Sequence, residues 1–90
     1  MEYDWDDGNV SHLGLHEITP IEAEEVLEDA PIVTQAQRHS GEDRFLVLGH
    51  TKSGRLLALV YTERGNKARV VTGYRMTKRQ REIYFRERAL

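Results

Sequence analysis

The side chains best suited to bind a phosphate group are concentrated near the C-terminus, in the stretch RVVTGYRMTKRQREIY over residues 69–84. Arginine and lysine bind phosphate, and arginine does so through two parallel hydrogen bonds. The pattern predicts a strand followed by a helix, whose positive N-terminal end also favours an anion. The residues that would form this anion site are Arg69, Tyr74, Arg75, Lys78, Arg79 and Arg81. The alternative is that these cations only solubilise a surface helix.

Other residues that could do chemistry lie nearer the N-terminus. Arg44 begins the first long predicted strand, where it could extend the anion site or act as an edge charge that deters aggregation. His12 and His16 are four residues apart and would share one face of a helix. Such a pair can bind zinc, but the sequence H-L-G-L-H contains neither a third ligand nor an activating Glu. The more ordinary interpretation is that one histidine positions the helix and the other faces the site or solvent.

Charge is divided unevenly along the chain. Residues 1–43 contain 12 acidic residues and one basic residue, giving −11, whereas residues 44–90 contain 12 basic and three acidic residues, giving +9, for a total of −2. This asymmetry favours an anionic partner for the second half. It is equally well explained by attraction between the halves within one fold.

Composition indicates one soluble domain over residues 1–90. The chain has no cysteine, which excludes disulfides and thiolate metal sites and fits a reducing cytoplasm. No apolar run is long enough to span a bilayer, and the acidic start differs from a signal peptide. We therefore expect a cytoplasmic protein without a membrane partner.

Periodicity and capping signals predict the elements that must position these residues. We expect a short strand at 2–5, a weak helix from Asp6 or Asp7 to about His16, and a helix capped by Thr19 that ends at Pro31. Period-two patterns then predict strands at 32–38, 44–51, 55–63 and 67–74, and Thr77 caps a last helix. The order β-α-α-β-β-β-β-α predicts an α+β fold of two layers, with helices on one face of a mostly antiparallel sheet. Regular alternation would place Arg69 and Tyr74 on opposite faces of the last strand.

Three segments together resemble the BrnT toxins, which are ribonucleases of type II toxin–antitoxin systems with a RelE-like fold. The segments are YDWDDGNVSHLGLHEITPIEAEEVL, GEDRFLVLGHTKSGRLLALVYTERG and RVVTGYRMTKRQREIY. The resemblance covers nearly the whole chain. Three positions depart from the family pattern, because Glu17, Tyr74 and Gln80 stand where the family usually has Gly, Arg and Glu.

The resemblance implies an endoribonuclease that cleaves mRNA without a metal or other cofactor and so inhibits translation. It implies as partner a ribbon-helix-helix antitoxin, through which operator DNA would be bound indirectly. The catalytic residues it implies are Arg44, Arg69, Arg75, His16 and Tyr74, with Lys78, Arg79 and Arg81 contacting the RNA backbone. The departures leave a second hypothesis, a catalytically degenerate binding module that keeps the antitoxin interface. A third is a non-catalytic nucleic-acid binder.

Overall fold

The computed structural model describes residues 1–89, which form five strands and three helices in the predicted order. Their bounds are β1 (Glu2–Tyr3), α1 (Asp7–Gly14), α2 (Pro20–Glu28), β2 (Ile32–His39), β3 (Glu42–His50), β4 (Leu56–Arg64), β5 (Lys67–Arg75) and α3 (Lys78–Arg88). Among residues 1–89, no helix has the length and apolar character needed to cross a membrane.

Each helix begins at a side chain that caps its free backbone N–H groups. Thr19 and Thr77 accept hydrogen bonds from the backbone N–H of Glu22 and Gln80, whose side chains bond back to the capping residue. Both threonine caps were predicted and are confirmed, and each forms a capping box. Asp6 caps α1 in the same way, but α1 ends at Gly14. His16 therefore lies beyond the helix, so the predicted end of α1 was two residues too late.

The five strands form one sheet in the order β1-β5-β4-β3-β2. Strands β2 to β5 are antiparallel neighbours, and β1 pairs with β5 in parallel. The connections after β3 and β4 turn at Gly54 and Gly65, which have φ of +90° and +62°. Glycine adopts this left-handed conformation without a steric penalty, which explains why these hairpins turn there.

The helices lie on both faces of the sheet, so the prediction that they share one face was wrong for α3. Helices α1 and α2 pack against one face, which we call the α1–α2 face, through a cluster that includes Leu13, Val26, Val47 and Leu59. Helix α3 buries Tyr84 against Leu48 and Ala58 on the opposite face, which we call the α3 face. Side chains alternate between the faces along a strand, so β3 and β4 supply apolar residues to both clusters.

A β-bulge in β5 changes which side chains share a face. Val60 pairs with Thr72 and Tyr61 pairs with Val70, so Val71 is an extra residue. An extra residue shifts the alternation by one position. Arg69 pairs with Thr62 and Tyr74 pairs with Ala58, which places both on the α3 face. The prediction that these two residues lie on opposite faces was therefore wrong.

Candidate functional site

The part of the α3 face that α3 leaves uncovered forms a shallow concavity of about 320 Å³, which we call the sheet concavity. Its floor contains the apolar side chains of Leu46 from β3 and Val60 from β4. Polar or charged side chains from β2, β3 and β5 surround this floor. The full lining is Gln35, Gln37, His39, Arg44, Leu46, Val60, Val71, Thr72 and Tyr74.

Arg44 is the cation at the centre of this region. It lies on β3, between β2 and β4, so it is not the edge-strand charge considered above. The side chain is partly buried, and its Nε is buried without a hydrogen-bond partner among residues 1–89. A buried polar atom without a partner is costly, and a turn of the Arg44 side chain toward a bound anion would satisfy this one.

A second concavity of about 220 Å³ adjoins the first at Arg44, and we call it the arginine concavity. It is lined by Gly8, Asn9, His12, Arg44, Arg64, Arg69 and Val71. Arg44 belongs to both concavities. Since Arg44 pairs with Thr62, which pairs with Arg69, Arg44 and Arg69 occupy one row across three strands.

Arg69 is neutralised by acidic residues from the N-terminal segment. Its Nη1 donates to Asp6 Oδ2 at 2.9 Å and its Nη2 donates to Asp6 Oδ1 at 3.2 Å. Asp4 Oδ1 lies 3.5 Å from Nη1. The hydrogen bond from Arg69 is the main cause of a lowered pKa at Asp6. Arg69 therefore lies where the sequence predicted a phosphate-binding arginine, but its guanidinium already has a carboxylate partner.

Arg64 is paired in the same manner. Its Nη2 donates to Glu42 Oε1 at 3.0 Å, and this hydrogen bond is the main cause of a lowered pKa at Glu42. Arg55 donates to Glu22 Oε2 at 2.7 Å. These ion pairs join acids of residues 1–43 to arginines of residues 44–90. Attraction between the halves thus accounts for part of the uneven charge. Unlike Arg55, Arg64 and Arg69, Arg44 takes part in none of the ion pairs within residues 1–89.

Tyr74 forms a wall of the sheet concavity and is held from two sides. Its hydroxyl accepts a hydrogen bond of 3.0 Å from Gln80 Nε2 in the first turn of α3. The ring of His16 lies 6.5 Å from the Tyr74 ring, centroid to centroid, with the planes tilted by 57°. His12 lies instead in the arginine concavity, so the two histidines contact different parts of the site. Within residues 1–89, no group of three or more His, Asp or Glu side chains could hold a metal ion.

Arg75 and Arg81 lie at the other end of the sheet from Arg44. They share a cavity of about 360 Å³ with Arg55. Arg75 pairs with Leu57 and Arg44 with Thr62, five residues apart on β4, which corresponds to about 17 Å along the strand. Arg81 Nη1 also donates to the Met76 carbonyl at 2.9 Å. The structure therefore brings Arg44, Arg69 and Tyr74 to one face but separates Arg75 from them.

Sequence reasoning missed several residues of the site. Gln35, Gln37 and His39 face the sheet concavity from β2, and Asp6 neutralises Arg69. The pattern Q-x-Q on the strand predicted at 32–38 places a polar side chain at every second position, which signals a polar face. His39 continues this pattern one residue beyond the predicted end of the strand. The role of Asp6 had no comparable signal, because it depends on a contact 63 residues apart in sequence.

These features define a small α+β protein whose sheet carries a cationic, partly apolar concavity suited to a phosphate-containing ligand. The sequence matches the family model described as "Ribonuclease toxin, BrnT, of type II toxin-antitoxin system" over residues 5–80. The chain therefore belongs to the BrnT family of type II toxin–antitoxin ribonuclease toxins. No individual curated protein matched the chain.

Proposed function

We propose that this protein is a metal-independent endoribonuclease that cleaves mRNA and thereby inhibits translation. The observation that carries the proposal is Arg44, whose buried Nε lacks a partner among residues 1–89 at the junction of the two concavities. An RNA phosphate bound there would satisfy Nε and receive a charge-assisted hydrogen bond. Family membership supports RNA as the polymer that supplies this phosphate.

RNA can be cleaved by its own 2′-hydroxyl. The 2′-oxygen attacks the adjacent phosphorus as a base takes its proton, and the 5′-oxygen leaves with a proton from an acid. The products are a 2′,3′-cyclic phosphate and a 5′-hydroxyl. Arg44 would stabilise the charge that develops on the phosphorane oxygens.

Three side chains around Arg44 are suited to the proton transfers, namely Tyr74, His12 and His39. Tyr74 lines the sheet concavity, and His16 lies against its ring, so Tyr74 would act on the RNA while His16 positions it. His12 and His39 line the two concavities that meet at Arg44. An imidazole ring can both donate and accept a proton, which makes these two histidines the stronger acid–base pair.

The remaining basic residues would bind the RNA backbone on either side of the cleaved phosphate. Lys78 and Arg79 are exposed in the first turn of α3, which is joined to Tyr74 through Gln80. Arg75 and Arg81 lie further along and would contact more distant phosphates. Arg69 would join the site when RNA displaces Asp6.

We also propose a ribbon-helix-helix antitoxin as the neutralising partner, which would bind operator DNA on behalf of the complex. Membership in a toxin–antitoxin family supports an antitoxin. A cytoplasmic location would place the protein with its mRNA substrate. Co-expression with the neighbouring gene and purification of the complex would test this partner.

The experiment that tests the nuclease assignment is cleavage of a synthetic mRNA in EDTA. We expect cleavage to continue in EDTA and to leave 2′,3′-cyclic phosphate ends. Replacing Arg44 by Ala should slow cleavage by about 10²–10³-fold, the usual effect of removing a donor to a developing oxyanion. Arg44→Lys should restore only part of it, because lysine lacks the bidentate guanidinium.

Arg38→Ala is the matched control, because Arg38 is an exposed cation of β2 that faces the other side of the sheet. It should cleave at the normal rate. Normal cleavage by folded Arg44→Ala would contradict the assignment of Arg44, and no cleavage by the unaltered protein would contradict the nuclease activity itself.

The second candidate function is a binding module that has lost catalysis. It is favoured by the bidentate pairing of Arg69 with Asp6, which removes one predicted catalytic arginine from the free protein. Inducible expression in a bacterial host distinguishes the two functions. A nuclease toxin should arrest growth of the host, and co-expression of its antitoxin should restore growth. A binding module should leave growth unaffected although soluble protein is present.

A further inference from the structure

The sheet concavity has the features of a nucleobase pocket as well as of a phosphate site. Leu46, Val60 and Thr72 lie in one row across β3, β4 and β5, and they provide a mostly apolar floor. A planar base can lie against such a floor, and the Tyr74 ring adds an aromatic wall at the β5 side. Arg44 is the next residue on the same face of β3, so a phosphate on Arg44 would place its nucleotide over this floor.

Gln35 completes that row on the β2 side. It pairs with Leu46 across β2 and β3, and its side chain is exposed in the concavity. The side-chain amide of Gln35 makes no hydrogen bond to any other group within residues 1–89. A base lying on Leu46 and Val60 would therefore present one edge to a free carboxamide.

We propose that Gln35 is a specificity-determining residue that selects adenine at the nucleotide next to the cleaved phosphate. A carboxamide offers one donor and one acceptor. Adenine presents an amino group beside a ring nitrogen on both its Watson–Crick and its Hoogsteen edge, whereas the other three bases offer a donor beside an acceptor on only the first of these two edges, so a bidentate contact favours adenine. Gln37 pairs with Arg44 across β2 and β3, so its amide lies beside the proposed phosphate site, whereas Gln35 lies beside the apolar floor. This inference rests on the proposed function for the identity of the polymer.

The test compares cleavage of four RNA oligonucleotides that differ only in the base next to one cleavable phosphate. The unaltered protein should prefer adenine by roughly five- to 150-fold, the range expected from one bidentate contact. Gln35→Ala should reduce that preference to near one while cleavage continues. Gln35→Glu should shift it toward guanine, because a carboxylate only accepts and the Watson–Crick edge of guanine offers two donors.

Ala36→Gln is the matched control. Ala36 is the next residue of β2 and pairs with Phe45, so this variant adds an amide on the opposite face of the same strand. Its base preference should equal that of the unaltered protein. Circular dichroism of each variant establishes that the fold is retained, which the exposure of both positions favours.

A second measurement separates this inference from the nuclease assignment. Binding of the same four oligonucleotides with 2′-O-methyl groups, which block cleavage, reports base preference without catalysis. An adenine preference in binding that Gln35→Ala removes would support the inference even if no cleavage occurs. Cleavage without adenine preference, or an unchanged preference in Gln35→Ala, would overturn the inference and leave the nuclease assignment standing.

Discussion

Replacing Asp6 by Asn should strengthen RNA binding, because it removes the closer of the two carboxylates that pair with Arg69. Asp6 holds the Arg69 guanidinium through two hydrogen bonds, and Asp4 Oδ1 lies further away, 3.5 Å from Nη1. RNA must therefore displace the Asp6 carboxylate before this arginine can contact a phosphate. Asn removes the negative charge. It is also as good a helix N-cap as Asp, so α1 should begin normally.

The size of the effect follows from counting phosphate contacts. Each phosphate neutralised on a single strand adds about 0.7 to the slope of log affinity against log salt. One released arginine should therefore steepen the slope of Asp6→Asn by about 0.7. Over a fourfold rise in salt, that corresponds to about 2.6-fold more loss of affinity than in the unaltered protein.

The assay is fluorescence anisotropy with a 2′-O-methyl oligonucleotide across a salt series. Asp7→Asn is the control, because Asp7 is the adjacent exposed acid and makes no ion pair within residues 1–89. Both variants gain one unit of net charge. Equal slopes for the two variants would refute the argument, since the gain would then come from net charge rather than from Arg69.

Two further predictions concern stability. The hydrogen bond from Arg64 lowers the pKa of Glu42 in the folded state. The pair therefore stabilises the fold at pH values above the ordinary pKa of glutamate, and this stabilisation is lost as the pH falls through the folded-state pKa of Glu42. The difference in Tm between the unaltered protein and Arg64→Ala should accordingly shrink from pH 7 to pH 3, and a constant difference would contradict this cause. A Cβ at Gly73 would lie 2.5 Å from a core methyl carbon, so Gly73→Ala should lower the free energy of unfolding by about 1–3 kcal/mol in urea titrations. Gly14→Ala, where a Cβ meets no atom within 4 Å, should be neutral or stabilising, and an equal loss in both variants would contradict the packing argument.

Local patterns in the sequence were sufficient for most of the elements. Thr19 and Thr77 begin helices because each cap and its partner three residues later are local in sequence. Val47 and Leu48 lie in different core clusters because successive side chains of a regular strand, such as the one predicted at 44–51, point to opposite faces. Tyr84 lies in the helix that the Thr77 cap predicts, and it is a core residue that is only 1 % exposed.

The site was less predictable because its geometry depends on pairing between strands. The extra residue at Val71 has no local signature, yet it places Arg69 and Tyr74 on one face. The separation of Arg75 from Arg44 likewise follows from strand register. Register could not be read from the sequence, in which Arg75 lies next to the other residues of the predicted anion site.

The sequence by itself determined the family, the order of elements and the basic second half of the chain, because these depend on motifs, short-range periodicity and composition. Only the tertiary structure decided which cations are available to a ligand. Ion pairs form between residues distant in sequence, so Asp6 neutralises Arg69 while Arg44 retains a buried Nε without a partner in the described part of the chain. The same long-range pairing of β2 with β3 sets Gln35 beside the apolar floor of the sheet concavity.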